Sequence, residues 1–216
     1  MDFSFLNTLL PMLFSGLKVT LLISVIGILI GFAIGAITGF GLQANNRIAK
    51  TMAGVYIWII RGTPLIVQAL YVYFVIPKIL RVDLDSLICG IIVISLNSGA
   101  FIAEIVRGAL QGIDAGQKEA GVSLGLTNSQ TLWHVIVPPA FRSMVPALFN
   151  QFIISVKDTS LLSVITVKEI THNISIYASR SFKTIEAYTT GALFYLALIS
   201  LLIILQKQVE RKINKR

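Results

Sequence analysis

Residues 19–42 form an unbroken stretch of twenty-four residues with no ionisable side chain. As a helix rising about 1.5 Å per residue it reaches roughly 36 Å, enough to cross the hydrocarbon of a bilayer with some tilt. A water-soluble fold cannot cover such a segment on every face. The whole chain agrees, since 55% of its 216 residues are hydrophobic and 13% are charged, at a mean hydropathy of +0.82. That leaves too little polar surface to coat a soluble core. The preceding segment carries Asp2 and no basic residue before Lys18, unlike the positive start of a signal peptide, so the helix is expected to remain in the mature protein. Gly27, Gly31 and Gly35 recur every fourth residue, the spacing that lets a second helix backbone approach. Glycine is also common in membrane helices generally, so the spacing alone leaves both readings open.

Further apolar stretches run over residues 51–77, interrupted by Arg61, 87–106, interrupted by Glu104, and 187–206, uncharged throughout. Residues 139–156 form a weaker one, containing Arg142, Pro146, Asn150 and Gln151. The expectation is a single all-α polytopic membrane domain over residues 1–216, with about five transmembrane helices and its termini on opposite sides. Placing the C-terminus inside puts ten Lys and Arg residues on the cytoplasmic side against seven outside, the bias that the positive-inside rule requires. The N-terminus is then external. The basic tail from Lys207 to Arg216 is read as a juxtamembrane helix end held at anionic lipid headgroups. The net charge of +8 does not indicate nucleic acid, because aromatic and basic residues are not interleaved.

Residues 108–138 are too polar to cross and read as two short helices. Asp114 with Gln117, and Thr127 with Gln130, each match a capping box, and Gly125 stands where a left-handed C-terminal cap is needed. Pro138 and Pro139 are expected to stop the second helix. Such a cytoplasmic pair is either a docking element for a soluble partner or an ordinary structured loop.

The run Glu119-Ala120-Gly121-Val122-Ser123-Leu124-Gly125, followed by Val135-Ile136-Val137-Pro138, resembles the EAA motif of ATP-binding-cassette (ABC) importer permeases. The departures, Gly121, Val135 and Val137, are small or apolar exchanges. Arg61-Gly62-Thr63-Pro64-Leu65, the stretch from Asn97 to Gly108, and Lys157-Asp158-Thr159-Ser160-Leu161 resemble motifs of the permeases for polar amino acids, the histidine, glutamine and arginine permease family. The resemblance implies the type I importer permease fold, in which Glu119, Ala120, Gly121, Gly125 and Pro138 belong to a coupling helix docked on an ABC ATPase. It also implies two permease subunits, with a homodimer preferred to a heterodimer, two ATPase subunits and an extracytoplasmic solute-binding protein.

The chain contains no G-x-x-x-x-G-K-[ST] phosphate loop, so ATP and magnesium are expected on the partner and no cofactor on this chain. It is not expected to be an enzyme. The one cysteine, Cys89, excludes an internal disulfide. His134 and His172 lack metal-ligand spacing; His134 is read as a loop or interface residue and His172 as an external-loop residue. Ionisable and polar side chains are costly in hydrocarbon and tend to mark solute pathways. Asn97, Ser98, Glu104, Asn150, Gln151, Lys157, Asp158, Thr159 and Ser160 are therefore the candidate pathway residues, offering both signs of charge to an amino acid. The fourth span is read as short, with a break after it. The alternative for single residues is structural: a Lys157–Asp158 pair, or Glu104 paired with Arg107 one turn on. A small secondary transporter or channel driven by an ion gradient is the rival function, although it has no use for the EAA-like pair.

Overall fold

The computed structural model describes residues 4–44 and 46–214. Asp2, Lys215 and Arg216, which enter the charge argument above, lie outside them. Helix α1, Leu6–Gly41, is 36 residues long and absorbs the 19–42 stretch together with three turns before it. One face carries Gly27, Gly31, Gly35 and Gly39, all buried against α4, Ser86–Gln111. A Cβ at Gly27 would come within 2.6 Å of Ile94 Cγ2, and one at Gly39 within 2.8 Å of Val106 Cβ. The glycine spacing is thus a helix-contact face, and it is one glycine longer than expected.

Residues 51–77 do not form one straight span. They divide into α2, Arg47–Arg61, and α3, Leu65–Leu80, with a bend of 101° between them. Proline disfavours the helical region for the residue before it and has no N–H to donate. Pro64 accordingly sits in extended conformation at ψ 140° as the N-cap of α3. Among the described residues four helices are each long and apolar enough to cross, and counting α2 with α3 as one bent span brings the number to five, as expected.

The soluble pair is α5, Ala115–Ser123, leading into α6, Asn128–Ile165. Thr127 and Gln130 form the reciprocal capping box. Asp114 instead caps α5 by accepting from Gly116 N at 2.6 Å. Pro138 and Pro139 do not stop the helix. A π-helical turn, Leu132–Ile136, lies directly before them, and the widened turn accommodates prolines that a regular ladder would reject. The helix that contains the fourth span is therefore 38 residues long; its α-helical part Val137–Asp158 is polar but not short, and the change to a 3-10 helix over Thr159–Ile165 falls where the break was expected. His134 lies in the π-helical turn rather than in a loop, its Nδ1 3.0 Å from Gln130 O.

α6 ends at Thr166, left-handed at φ 63°. A further helix, α7, Ile170–Ser181, follows and carries His172 in its first turn. α8, Thr184–Asn214, is the last span. α7 packs between the first turns of α1 and α8, around Leu9, Leu13, Ile170, Ile174, Ala178 and Ala187.

Candidate functional site

Depth across the membrane follows from α1. Exposed Lys18 marks the start of its uncharged stretch, and about 20 residues of helix cover the hydrocarbon from there. On this scale Ile23 lies about 7 Å inside the boundary. Leu162 of α6 packs beside Ile23 and Gly90. Lys157 is five residues earlier on a helix that runs inward from Leu162 and is 3-10 as far as Thr159, which puts it about 9 Å deeper still and close to the bilayer middle. It is exposed on the chain. An ammonium at that depth has to meet water, a solute or another protein surface, because hydrocarbon is too costly.

Lys157 and Ser160 line a cavity of about 520 Å³ together with Thr171, Tyr195 and apolar residues of α8. Asp158 beside them is half-buried, and Thr159 is fully buried with its hydroxyl donating to Val156 O at 2.8 Å. Gln151 is 4% exposed, and its Nε2 has no hydrogen-bond partner among the described residues. A buried amide donor left unpaired costs about 1–3 kcal/mol; water or a passing solute would remove that penalty. Asn150, one residue earlier, is exposed.

Asn97 lies at a comparable depth but on α4, where its Nδ2 donates to Gln68 Oε1 at 3.5 Å. Gln68 was not singled out from sequence, yet it organises the break between α2 and α3. Its Nε2 donates to Ile60 O at 2.7 Å and to Thr63 O at 3.0 Å. These carbonyls would otherwise stand unpaired in a low-dielectric region, which backbone groups cannot tolerate.

Two candidates stand apart from this polar layer. Ser98 is buried in the α1–α4 seam, its Oγ 3.3 Å from Gly27 O. Glu104 sits near the opposite boundary, between the levels of Gly35 and Gly39. Its Oε2 accepts from Arg107 Nη2 at 2.6 Å and Nε at 3.1 Å, with Arg61 Nη1 at 4.0 Å. The pair with Arg107 one turn on is present, and Arg61 brings α2 to it.

Glu169 was also missed, because glutamate is a weak N-cap signal in sequence. It is fully buried before α7 and accepts from Thr171 N at 2.7 Å, His172 N at 2.6 Å and Tyr195 Oη at 3.2 Å. Burial pushes its pKa up to about 7, against the opposing pull of these hydrogen bonds.

At the other end, α5 terminates in a Schellman arrangement: Leu126 N donates to Gly121 O at 3.1 Å and Gly125 N to Val122 O at 2.9 Å, with Gly125 at φ 84°. Gly121 is buried against α6, where a Cβ would come within 2.6 Å of Thr131 Cγ2. The departure from the EAA-like pattern at this position thus has a steric reason. Glu119, Ala120, Val122 and Pro138 are exposed, and Leu124 is 83% exposed.

A family model described as "Binding-protein-dependent transport system inner membrane component" matches residues 31–215. The chain is 40% identical over 214 residues to the glutamine transport system permease protein GlnP of Escherichia coli strain K12, covering 99% of this chain and 98% of that one. It is 31% identical over 214 residues to the arginine transport system permease protein ArtQ of Bacillus subtilis strain 168, with the same coverage. A crystal structure of an amino acid ABC transporter with histidines superposes at a TM-score of 0.91, 32% identical, over 98% of this chain and 100% of that one. An inward-facing MetNI methionine ABC transporter gives a TM-score of 0.80 at 20% identity, over 94% and 96% of the two chains, a likeness of fold alone. With a family match across most of its length and a relative 40% identical over nearly all of it, this multi-pass protein belongs to the binding-protein-dependent transport system inner membrane components, the permease subunits of ABC importers.

Proposed function

We propose that the chain forms the translocation path of an ATP-powered importer for a polar amino acid, with glutamine the first substrate to test because of the name carried by its 40% identical relative. The observation that carries the reading is the α5–α6 pair. It presents Glu119, Ala120, Val122 and Leu124 to solvent on a support closed by two hydrogen-bonded caps and a glycine contact. A partner that grips this face moves α6, and α6 carries Lys157 and Asp158. Lys157, Asp158 and Ser160, with Asn97 at a comparable depth and Gln151 about 9 Å further along the path, supply donors and an acceptor to an ammonium carboxylate zwitterion. Ser98 and Glu104 support these residues by tying α4 to α1 and α2, Thr159 by closing its own helical turn on Val156 O, and Asn150 lies exposed one residue before Gln151.

The α5 end is cytoplasmic in this reading, which leaves the N-terminus outside. Two identical permease subunits pair with two ATPase subunits that hold ATP and magnesium, and a solute-binding protein delivers the amino acid from outside. Reconstitution in liposomes with the ATPase subunit and binding protein tests this directly. Glutamine uptake that requires both partners and internal ATP is expected; uptake driven by an ion gradient with this chain alone refutes it.

A further inference from the structure

The cavity that holds Lys157 is built differently at its two ends. α7 begins against Gly16, where a Cβ would come within 2.8 Å of Ile170 Cα, and Gly16 precedes Lys18 by two residues. Thr171, the next residue of α7, therefore lies at the membrane boundary marked by Lys18, whereas Lys157 is close to the bilayer middle. Thr171 and Tyr195 line the cavity at the boundary end, and neither was singled out from sequence. Because the Lys157 side chain opens into the same space, hydrocarbon cannot fill it without a prohibitive cost.

Behind Thr171 and Tyr195 stands Glu169, fully buried. An ionised carboxylate accepts and has no proton to give, so it fixes the direction of the hydroxyls bonded to it. Tyr195 Oη donates its one proton to Glu169 Oε2 at 3.2 Å. Thr171 Oγ1 lies 3.0 Å from Tyr195 Oη. With the phenol proton committed to Glu169, Thr171 is the donor of that bond. Both hydroxyl protons thus point away from the cavity, and what remains for a solute is the lone pairs of Thr171 Oγ1 and the second lone pair of Tyr195 Oη. The carboxylate itself is taken up by Thr171 N, His172 N and Tyr195. It acts through the hydroxyls, each polarised by the charge behind it. A wall of acceptors backed by a buried negative charge suits a cation that carries several N–H donors, and it offers nothing to a carboxylate.

We propose that Thr171 and Tyr195 form an outer station for the α-ammonium of the incoming amino acid, with Glu169 as the positioning residue that keeps their oxygens turned to it as acceptors. The inference rests on the importer reading, in which this boundary faces outside, and adds a recognition step to it. The amino acid is met at the entry by its ammonium, and Lys157 supplies the opposite charge for its carboxylate deeper in the same cavity.

The test uses the assembled permease–ATPase complex in nanodiscs without the binding protein. The buffer is held at pH 8, above the value of about 7 to which burial raises Glu169, so that the carboxyl is ionised. Equilibrium binding of radiolabelled glutamine is measured, together with its displacement by the glutamine analogue in which hydrogen replaces the α-ammonium. Thr171→Val and Tyr195→Phe each keep the side-chain shape and remove one acceptor. Glu169→Gln leaves the cavity wall untouched, but its amide can donate to Tyr195 Oη and so reverse the hydroxyl chain. Wild type is expected to bind the analogue on the order of 10-fold more weakly than glutamine. Each variant is expected to lose on the order of 10-fold in glutamine affinity with the analogue unchanged, so that discrimination collapses. Thr171→Ser, which keeps the hydroxyl, should bind as wild type does. Equal affinity of the wild type for the two ligands overturns the station, as do variants that keep the wild-type discrimination or weaken both ligands alike, the mark of a packing defect. A wild-type complex that imports glutamine with its binding protein and ATP yet binds none alone also overturns the station, and leaves the importer reading standing. A complex that imports none overturns the importer reading itself.

Discussion

Replacing Gly121 by Ala would restore the residue usual in the EAA pattern, yet the structure predicts harm. The added Cβ would stand 2.6 Å from Thr131 Cγ2 and 3.0 Å from Thr131 Oγ1, and Thr131 is buried with one rotatable bond to yield. Overpacking of this kind costs about 1–3 kcal/mol. In the free permease α5 can tilt away and relieve it. If α5 docks on the ATPase as proposed, binding demands the original α5–α6 geometry and the strain returns. The helix propensity that alanine gains over glycine is present in both states and cancels. The dissociation constant for the ATPase subunit should therefore rise roughly 5- to 150-fold. Binding is measured by titrating labelled ATPase onto the permease in nanodiscs. Thr131→Ala removes both offending atoms, and the double variant should regain most of the affinity. Wild-type binding by Gly121→Ala with Thr131 intact would falsify the steric account of this glycine.

Gly125→Val places a β-branched residue at φ 84°, a strain of about 1–2 kcal/mol, and should weaken ATPase binding in the same titration, whereas Gly125→Asn should be tolerated. Asp158→Asn should alter the uptake rate or substrate preference in a complex that still assembles; wild-type uptake removes Asp158 from the pathway. Glu169, raised from 4.5 to about 7 in the fold, binds more protons folded than unfolded between those values. Its contribution is fully present below about pH 4.5 and is lost as pH rises through about 7, on the order of 3 kcal/mol in all. Glu169→Gln should flatten the fall in thermal stability between pH 5 and pH 8, read by unfolding of the detergent-solubilised permease, and an unchanged slope would mean that another group titrates.

The spans built on uncharged stretches were legible because nothing but hydrocarbon satisfies them, and the end of α5 and the start of α6 were legible because Gly125, Thr127 and Gln130 carry local chemistry. The bend between α2 and α3 was not. Hydropathy is blind to Thr63–Pro64 within an apolar segment, and Gln68 is intelligible only after the carbonyls of Ile60 and Thr63 are seen to be freed. Pro138 and Pro139 misled because a π-turn has no sequence signature of its own. In the candidate pathway, residue type alone could not separate Ser98, which lies in the helix seam, or Glu104, which is tied to two arginines near one boundary, from Lys157 and Gln151. Depth and packing make that separation, and both depend on the partner helix.

The seam between α1 and α4 also acts as a fulcrum. It is centred near position 33, between Gly27 and Gly39, where the two backbones are in closest contact. On the short side α1 reaches Phe40, whose ring lies 5.6 Å from Trp133 at the start of α6, an arm of about 10 Å. On the long side it runs to Leu6, past the turns on which α7 packs, an arm of about 40 Å. If α1 swings as a rigid rod about this seam, a displacement of 1 Å at the Trp133 contact becomes about 4 Å at Leu6.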